Sequence, residues 1–426
     1  VTETALPEHY RRNFWCLALD FGLFGAGLAF MGQSTVIPGF LTALGASSAF
    51  IGLMSSLQSA SWLLPQLFSA RVLADKPIKK PYILRPAAIG RSLFLILALA
   101  LWATRAQPPW LMLLVSAMVI IGFWVGDGLA SVPWFDLLSK AIPPRRRGRL
   151  IGVGQVLSGV LGFMIGAVVE WMLSDSGPSY PDNYAILFAL GFLALALSFI
   201  AVALTAENPG ASTSPTPSWG QFIPQLWQVL RHDHTFRRFI IARQLFSLGG
   251  MATPFYMTYA LTRLGLPVQV AGRYTSISVV GSILAAVIFG WINERHGTRR
   301  VMLLSLGLTT AVPIFALVVP HLLNTPEQLA WGYGLVFLCM SAAFSSMMPG
   351  WMGYVLEHAP EQERPTYVGL TNTLNGIATL FSTLGGLILQ WTGDNYPLLF
   401  LIALAGLLFA WPLPFSLPEP RHREKP

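Results

Sequence analysis

The stretch "GWINERHGTRR", Gly290–Arg300, ends a long apolar run with a burst of charge set around two glycines. An earlier stretch, "ARVLADKPIKK", Ala70–Lys80, also carries an acid, a base and a basic pair in the same register. At an offset of 219, Asp75-Lys76 answers Glu294-Arg295, and Lys79-Lys80 answers Arg299-Arg300 nearby. The likeness extends to both sides. "LTALGASSAFIG", Leu41–Gly52, matches "LTRLGLPVQVAG", Leu261–Gly272, at an offset of 220. At an offset of 217, Trp134, Pro143, Arg147, Gly152 and Gly159 match Trp351, Pro360, Arg364, Gly369 and Gly376. Three separate agreements at nearly one spacing are the mark of an internal duplication.

What surrounds these loops is oily. The 426 residues are 54% hydrophobic and 11% charged, with a mean hydropathy of +0.58; ordinary soluble domains carry about 25% charge. A bilayer core of roughly 30 Å takes about 20 apolar residues per helix. About twelve such stretches occur, near 14–40, 48–73, 82–104, 109–134, 151–172, 184–205, 238–262, 270–292, 301–320, 329–355, 367–391 and 397–416. A barrel would show ten-residue alternating segments instead, and lipid leaves no third way to satisfy a backbone. The sequence therefore predicts an all-α membrane protein of twelve transmembrane helices in two pseudo-symmetric six-helix bundles. Their expected bounds are 1–205 and 237–426, joined by a cytoplasmic linker over 206–236.

The linker opens with "ENPGASTSPTPS", Glu207–Ser218, whose Pro/Ser/Thr composition cannot build a core. Beyond it, Trp219, Phe222, Ile223, Leu226, Trp227 and Leu230 recur at helical spacing, the pattern of a helix lying in the membrane interface. The first apolar run is too long for a signal-peptide core and lacks a small-residue cleavage site, so it is expected to be a true first span.

The formal net charge is +8, but the basic residues occupy alternate loops rather than one face, which argues against a nucleic-acid partner. With the end bearing Arg11 and Arg12 inside, about twenty of the 27 Lys and Arg are cytoplasmic, and about three (Arg105, Arg263 and Arg273) lie outside. Both termini are then cytoplasmic, and the expected location is the plasma (inner) membrane. Cys16 and Cys339 lie inside apolar stretches, which speaks against a disulfide framework or a zinc site. The seven histidines sit in loops or near helix ends without metal-ligand spacing, and no phosphate-binding loop, GxSxG or HExxH is present. No metal, cofactor or enzyme activity is expected.

Taken together, these residues resemble the major facilitator superfamily over essentially the whole chain. The family's loop between the second and third spans has the form G-x-x-x-D-[RK]-x-G-x-[RK]-[RK], with a related loop between the eighth and ninth. Gly290, Glu294, Arg295, Gly297, Arg299 and Arg300 fit it with Glu in place of Asp. In the first copy Arg71 and Ile78 stand where the glycines belong. The resemblance implies a secondary active transporter, in which duplicated halves rock about a midplane site. It also implies gating at the cytoplasmic loops through Asp75, Lys76, Gly290, Glu294, Arg295 and Gly297, with Arg147 and Arg364 following the fourth and tenth spans. The fifth span, "GVGQVLSGVLGFMIGAVV", lacks the Gly-Pro pair of the family's drug/proton antiporters, and the substrate stays open.

An ionisable group inside a span is costly, so each is a functional hypothesis by default. Asp20 lies deep in the first stretch on a stripe with Gly27 and Ser34, Asp127 in the inner half of the fourth, and Arg243 early in the seventh. In the family these three helices line the central cavity. Leaving water disfavours an ionised carboxylate and a nearby arginine favours it, so such a group can exchange protons. The plain alternative is a set of satisfied structural charges. Arg91 is expected to pair with Asp127 rather than to bind anything. Polar stripes run along the eleventh span (Asn372, Asn375, Thr379, Ser382), the fifth (Gln155, Ser158) and the second (Ser55, Ser59, Trp62, Gln66, Ser69). They fit either a hydroxyl- or amide-bearing solute or close helix packing. The expected partners are a small-molecule substrate, protons and the lipid bilayer, and the expected state is a monomer. A non-transporting membrane partner or sensor, and a lipid translocator, remain alternatives.

Overall fold

A computed structural model of the chain describes residues 9–73, 76–207, 229–360 and 363–420, leaving aside the side chains at 67, 70, 71, 144, 145, 148 and 364–366. Asp75, and the expected interfacial helix up to Gln228, lie outside the described residues. Among those described, regular structure is helical throughout, with no strand.

The first region holds α1 (Tyr10–Met31), α2 (Val36–Ala43), α3 (Ser48–Leu73), α4 (Lys80–Thr104), α5 (Pro109–Ala141), α6 (Pro144–Met172) and α7 (Asp182–Ala203). The second holds α8 (His234–Ser247), α9 (Phe255–Thr262), α10 (Val270–His296), α11 (Thr298–Leu322), α12 (Pro326–Ser345), α13 (Gly353–His358), α14 (Arg364–Ala378), α15 (Phe381–Trp391), α16 (Tyr396–Ala410) and α17 (Pro412–Ser416). Pro sits in the first turn of α4, α5, α6, α12, α14 and α16, where its missing N–H removes no helix bond.

Nine helices of the described residues are long and apolar enough to cross a membrane. Three further apolar stretches have physical reasons for falling short. The 26-residue α3 carries Ser55, Ser56, Gln58, Ser59 and Ser61, which dilute its hydropathy. The stretch 238–262 breaks into α8, a 3-10 turn at Leu248–Ala252 and α9, and the stretch 367–391 breaks between α14 and α15. The outward surfaces are apolar: Ile89 is 68% exposed, Val287 70% and Phe409 75%. Such a surface suits hydrocarbon rather than water.

The chain divides into two compact units, one of residues 1–45 and 58–216, the other of 46–57 and 217–426. In the first, α1 packs on α6 and α7, and α4 packs on α5 and α7. The α4/α5 crossing is close because Gly90 meets Gly126, where an added Cβ would lie 2.7 Å from the Pro86 carbonyl oxygen. In the second, α11 packs on α12 and α16, the same arrangement 219 residues on. Residues 46–57 belong to this second unit, where Ser56 Oγ donates to the Thr379 carbonyl at 2.6 Å and accepts from the Thr383 amide at 2.9 Å.

Each unit closes on itself through one carboxylate. Just after α7, Glu207 accepts from the Lys79 and Lys80 amides at 2.7 and 2.8 Å, satisfying the start of α4, and its side chain is nearly fully buried. Lys140 Nζ lies 3.3 Å from the same carboxylate. Just after α17, Glu419 accepts from the Thr298 and Arg299 amides at 3.2 and 3.0 Å, at the start of α11. Gly297 precedes that turn at φ 85°, in the left-handed region that favours glycine, and a Cβ there would collide with the Glu419 carboxylate. Replacing Glu207 or Glu419 by Ala should therefore lower the unfolding midpoint of the detergent-purified protein, at a cost of about 1 kcal/mol each. Unchanged midpoints in both variants would show the caps to be dispensable.

Candidate functional site

Charges inside the first unit gather around α1, α4, α5 and α7. Asp20 of α1 is 4% exposed. Its carboxylate accepts from Trp134 Nε1 at 2.7 Å and from Ser198 Oγ at 2.5 Å. Ser198 in turn accepts from Arg91 Nη1 at 3.1 Å, and the same nitrogen donates to the Leu195 carbonyl at 3.0 Å. The Arg91 guanidinium thus reaches Asp20 through one hydroxyl. It stands over the Phe24 ring at 5.5 Å and lies within electrostatic reach of both Asp20 and Asp127.

Asp127 accepts from Trp62 Nε1 at 3.0 Å and shares a small crevice with Ala87, Gly90, Arg91 and Phe123. Arg91 pairs with Asp127 by charge in this crevice rather than by a hydrogen bond: the hydrogen bonds of Arg91 go to α7, and that of Asp127 comes from α3. The two acids and the cation are thus held by two indole N–H groups and one serine hydroxyl. Ser198 and Trp134 are not among the residues expected to serve the site. The polar stripe of α3 did contain Trp62, and Trp134 belonged to the repeat.

The second unit is built differently. Arg243 of α8 donates to Met347 Sδ at 3.2 Å and lies 5.3 and 5.2 Å from the Phe246 and Trp351 ring centres. Met347 and Trp351 belong to a π-helical segment, Met347–Met352, that interrupts the tenth apolar stretch. Asn372 and Asn375 are half-buried on α14, and Asn375 Oδ1 is buried without a hydrogen-bond partner. Gln155 is exposed on α6, whereas Ser158 lies against Gly25 of α1, so that part of the stripe serves helix packing.

The expected gating residues are placed as follows. Gly290 is helical with open space around its Cα, and Glu294 and Arg295 end α10, with the Arg295 guanidinium 4.8 Å from the Trp291 ring centre. Lys76 follows α3, and Gly297 meets Glu419. Arg147 donates to the Ser139 and Ile142 carbonyls at 2.6 and 3.1 Å, closing the C-terminus of α5. Arg364 begins α14, and its side chain lies outside the description, as does Asp75.

At the start of α8 stands a cluster the sequence did not single out. Asp233 caps the helix by accepting from the Phe236 amide at 2.8 Å, lies 2.7 Å from His358 Nε2, and accepts from Tyr367 Oη at 3.0 Å. Partial burial pushes its carboxyl up, but His358, the Phe236 amide and Tyr367 outweigh that and hold it down, to about 2. A carboxyl held below its unfolded value of about 3.9 stabilises the folded state above that pH. The contribution should be complete above about pH 4 and be lost as pH falls towards 2. Asp233→Asn should accordingly lower the unfolding midpoint at pH 7 and flatten its fall between pH 4 and 2. A variant with the wild-type profile would remove Asp233 from the stability of this end of the unit.

Comparison with known proteins places this geometry in a family. The family model of the Major Facilitator Superfamily matches residues 19–383 and 246–426. Proteins of Mycobacterium bovis and Mycobacterium tuberculosis with no characterised activity are each 26% identical over 387 residues, 86% of this chain and 73% of theirs. The proton-coupled antiporter flippase LtaA of Staphylococcus epidermidis is 23% identical over 288 residues, 66% of each chain. Among solved structures, a bacterial homologue of the iron transporter ferroportin superposes with a TM-score of 0.66 at 15% identity, covering 96% of this chain and 98% of that one. The D-xylose–proton symporter superposes with a TM-score of 0.62 at 16% identity, covering 98% and 100%. The all-helical fold, the membrane character and the family match agree: the chain is a membrane transport protein belonging to the Major Facilitator Superfamily.

Proposed function

We propose that the protein is a secondary active transporter that moves a small organic solute by alternating access and couples that movement to protons through the charges inside its first unit. The carrying observation is one cation, Arg91, placed between two carboxylates: it reaches Asp20 through Ser198 and lines one crevice with Asp127. Two ionised acids and one guanidinium leave an uncompensated negative charge in a low-dielectric interior, which is costly. One bound proton cancels it. Protonation that follows exposure to one side or the other then couples the proton gradient to conformation.

In the layout that goes with this reading, twelve transmembrane helices form two six-helix bundles over 1–205 and 237–426. The linker 206–236 and both termini are cytoplasmic, and the protein sits in the plasma (inner) membrane as a monomer. Breaks in the helices at 248–252 and 379–380 support it, since irregular backbone at membrane depth belongs where it lines a cavity. The loops with Asp75, Lys76 and Glu294–Arg300, together with Arg147 and Arg364, then act as the cytoplasmic gate. A second reading, lipid translocation, is favoured by the likeness to the flippase LtaA. Fluorescent-lipid translocation in proteoliposomes separates it from solute uptake.

Asp20→Asn keeps the side-chain volume and mimics the protonated acid. In proteoliposomes carrying a proton gradient it should abolish accumulation while leaving solute exchange within about threefold of wild type. Full accumulation by a well-folded Asn variant would remove Asp20 from the coupling. Reporters fused after residues 78, 146 or 297 should read cytoplasmic, and those after 106 or 178 external. A consistent inversion would overturn the orientation.

A further inference from the structure

The second unit holds a cation for which the described residues supply no anion. A guanidinium has five N–H donors, and Arg243 spends one of them on a thioether, a weak acceptor, while the rings of Phe246 and Trp351 flank it. Ring faces offset only part of the cost of taking a cation out of water. The indole N–H of Trp351 does not help, because it is a donor too. Trp351 is 2% exposed and its indole N–H has no acceptor. Thus a half-buried guanidinium and the buried indole N–H beside it lack the one thing that would satisfy both, a negatively charged oxygen.

The backbone around this cluster is irregular from both sides. Arg243 stands one turn before the 3-10 turn Leu248–Ala252, and Met347 and Trp351 lie within the π-helical segment. In a membrane such backbone is tolerated where it lines a cavity, and π segments recur at functional sites. The first unit shows what a self-contained solution looks like, since its arginine stands among two carboxylates and a bridging serine.

We propose that Arg243, flanked by Trp351, is the binding site for an anionic oxygen group, a carboxylate or a phosphate, of the molecule this protein carries. The proposal rests on the transporter reading for the word "carries" and on the side-chain geometry for the anion. A planar guanidinium takes either group through two parallel N–H···O bonds.

The test uses the full chain in neutral detergent, with the unfolding midpoint read against inorganic phosphate and acetate at constant ionic strength, chloride being the reference. A second arm replaces these probes by phosphatidylglycerol against phosphatidylcholine in mixed micelles. A saturable rise of roughly 2–4 °C is expected with at least one anionic probe. Arg243→Gln and Arg243→Met should lose that rise, while their own midpoints without anion equal or exceed that of wild type, because a half-buried charge with no acidic partner among the described residues has been removed. Arg243→Lys should bind at least tenfold more weakly. A response to soluble anions assigns the group to a free solute; a response to phosphatidylglycerol alone assigns it to a lipid headgroup. The proposal fails if no anionic probe shifts wild type, or if the Gln or Met variant shifts equally. It fails too if both variants lose stability without anion yet keep the response, the behaviour of an arginine held for packing alone. Arg243-dependent binding with no gradient-driven uptake of any probe would sink the transporter reading and leave the anion site standing. Uptake of an anionic probe that ignores Arg243→Gln would do the reverse.

Discussion

Hydrocarbon offers a backbone amide nothing to bond to, and that constraint shapes this chain more than any side chain does. Wherever a helix stops short, something must take over its free groups. Ser382 Oγ donates to the Gly250 carbonyl at 3.0 Å in the break between α8 and α9, and Ser56 serves the Thr379 carbonyl at the break between α14 and α15. Arg147 takes up carbonyls at the end of α5, and Glu207 and Glu419 take up amides at the starts of α4 and α11. Polar residues in an oily sequence are thus first a means of finishing helices. Those left without that duty are the ones to examine for chemistry.

By that criterion the duplicated halves have diverged in charge rather than in architecture. The packing of α4 on α5 and α7 returns as α11 on α12 and α16, and the carboxylate cap returns with it. The first half keeps two acids around one arginine, bonded through Ser198, Trp134 and Trp62. The second keeps an arginine among rings and a thioether. On the proposed function, the first set would exchange protons and the second would recognise a fixed charge, each on its own half of the chain.

Much of the fold was legible because hydropathy and repetition are properties of long segments. Runs of about twenty apolar residues, and agreement at offsets of 217 to 220, survive local irregularity. The breaks were less visible, although Gly249, Gly250 and Pro254 in one apolar stretch and Pro349-Gly350 in another are the residues that permit them. At the site, Asp20, Asp127 and Arg243 announced themselves by their cost. Their partners did not, because an indole N–H or a serine hydroxyl costs little in an apolar stretch and reads as packing. Glu207 and Glu419 were missed for another reason: each lies over a hundred residues from the amides it caps, just past the end of an apolar stretch.

The indole bonds on the two acids of the first half have an optical consequence. In each, a carboxylate oxygen sits at the N–H edge of a tryptophan, Trp134 for Asp20 and Trp62 for Asp127. Charge at that edge stabilises the ground and excited states of the ring unequally, so gain of a proton by the carboxylate shifts the ring's absorption and emission. With 14 tryptophans in the chain, these shifts are isolated by difference against Trp62→Phe and Trp134→Phe. Buried Asp20 and half-buried Asp127 each carry their own chromophore, and the proton exchange proposed for them can be followed at each acid separately with no label added.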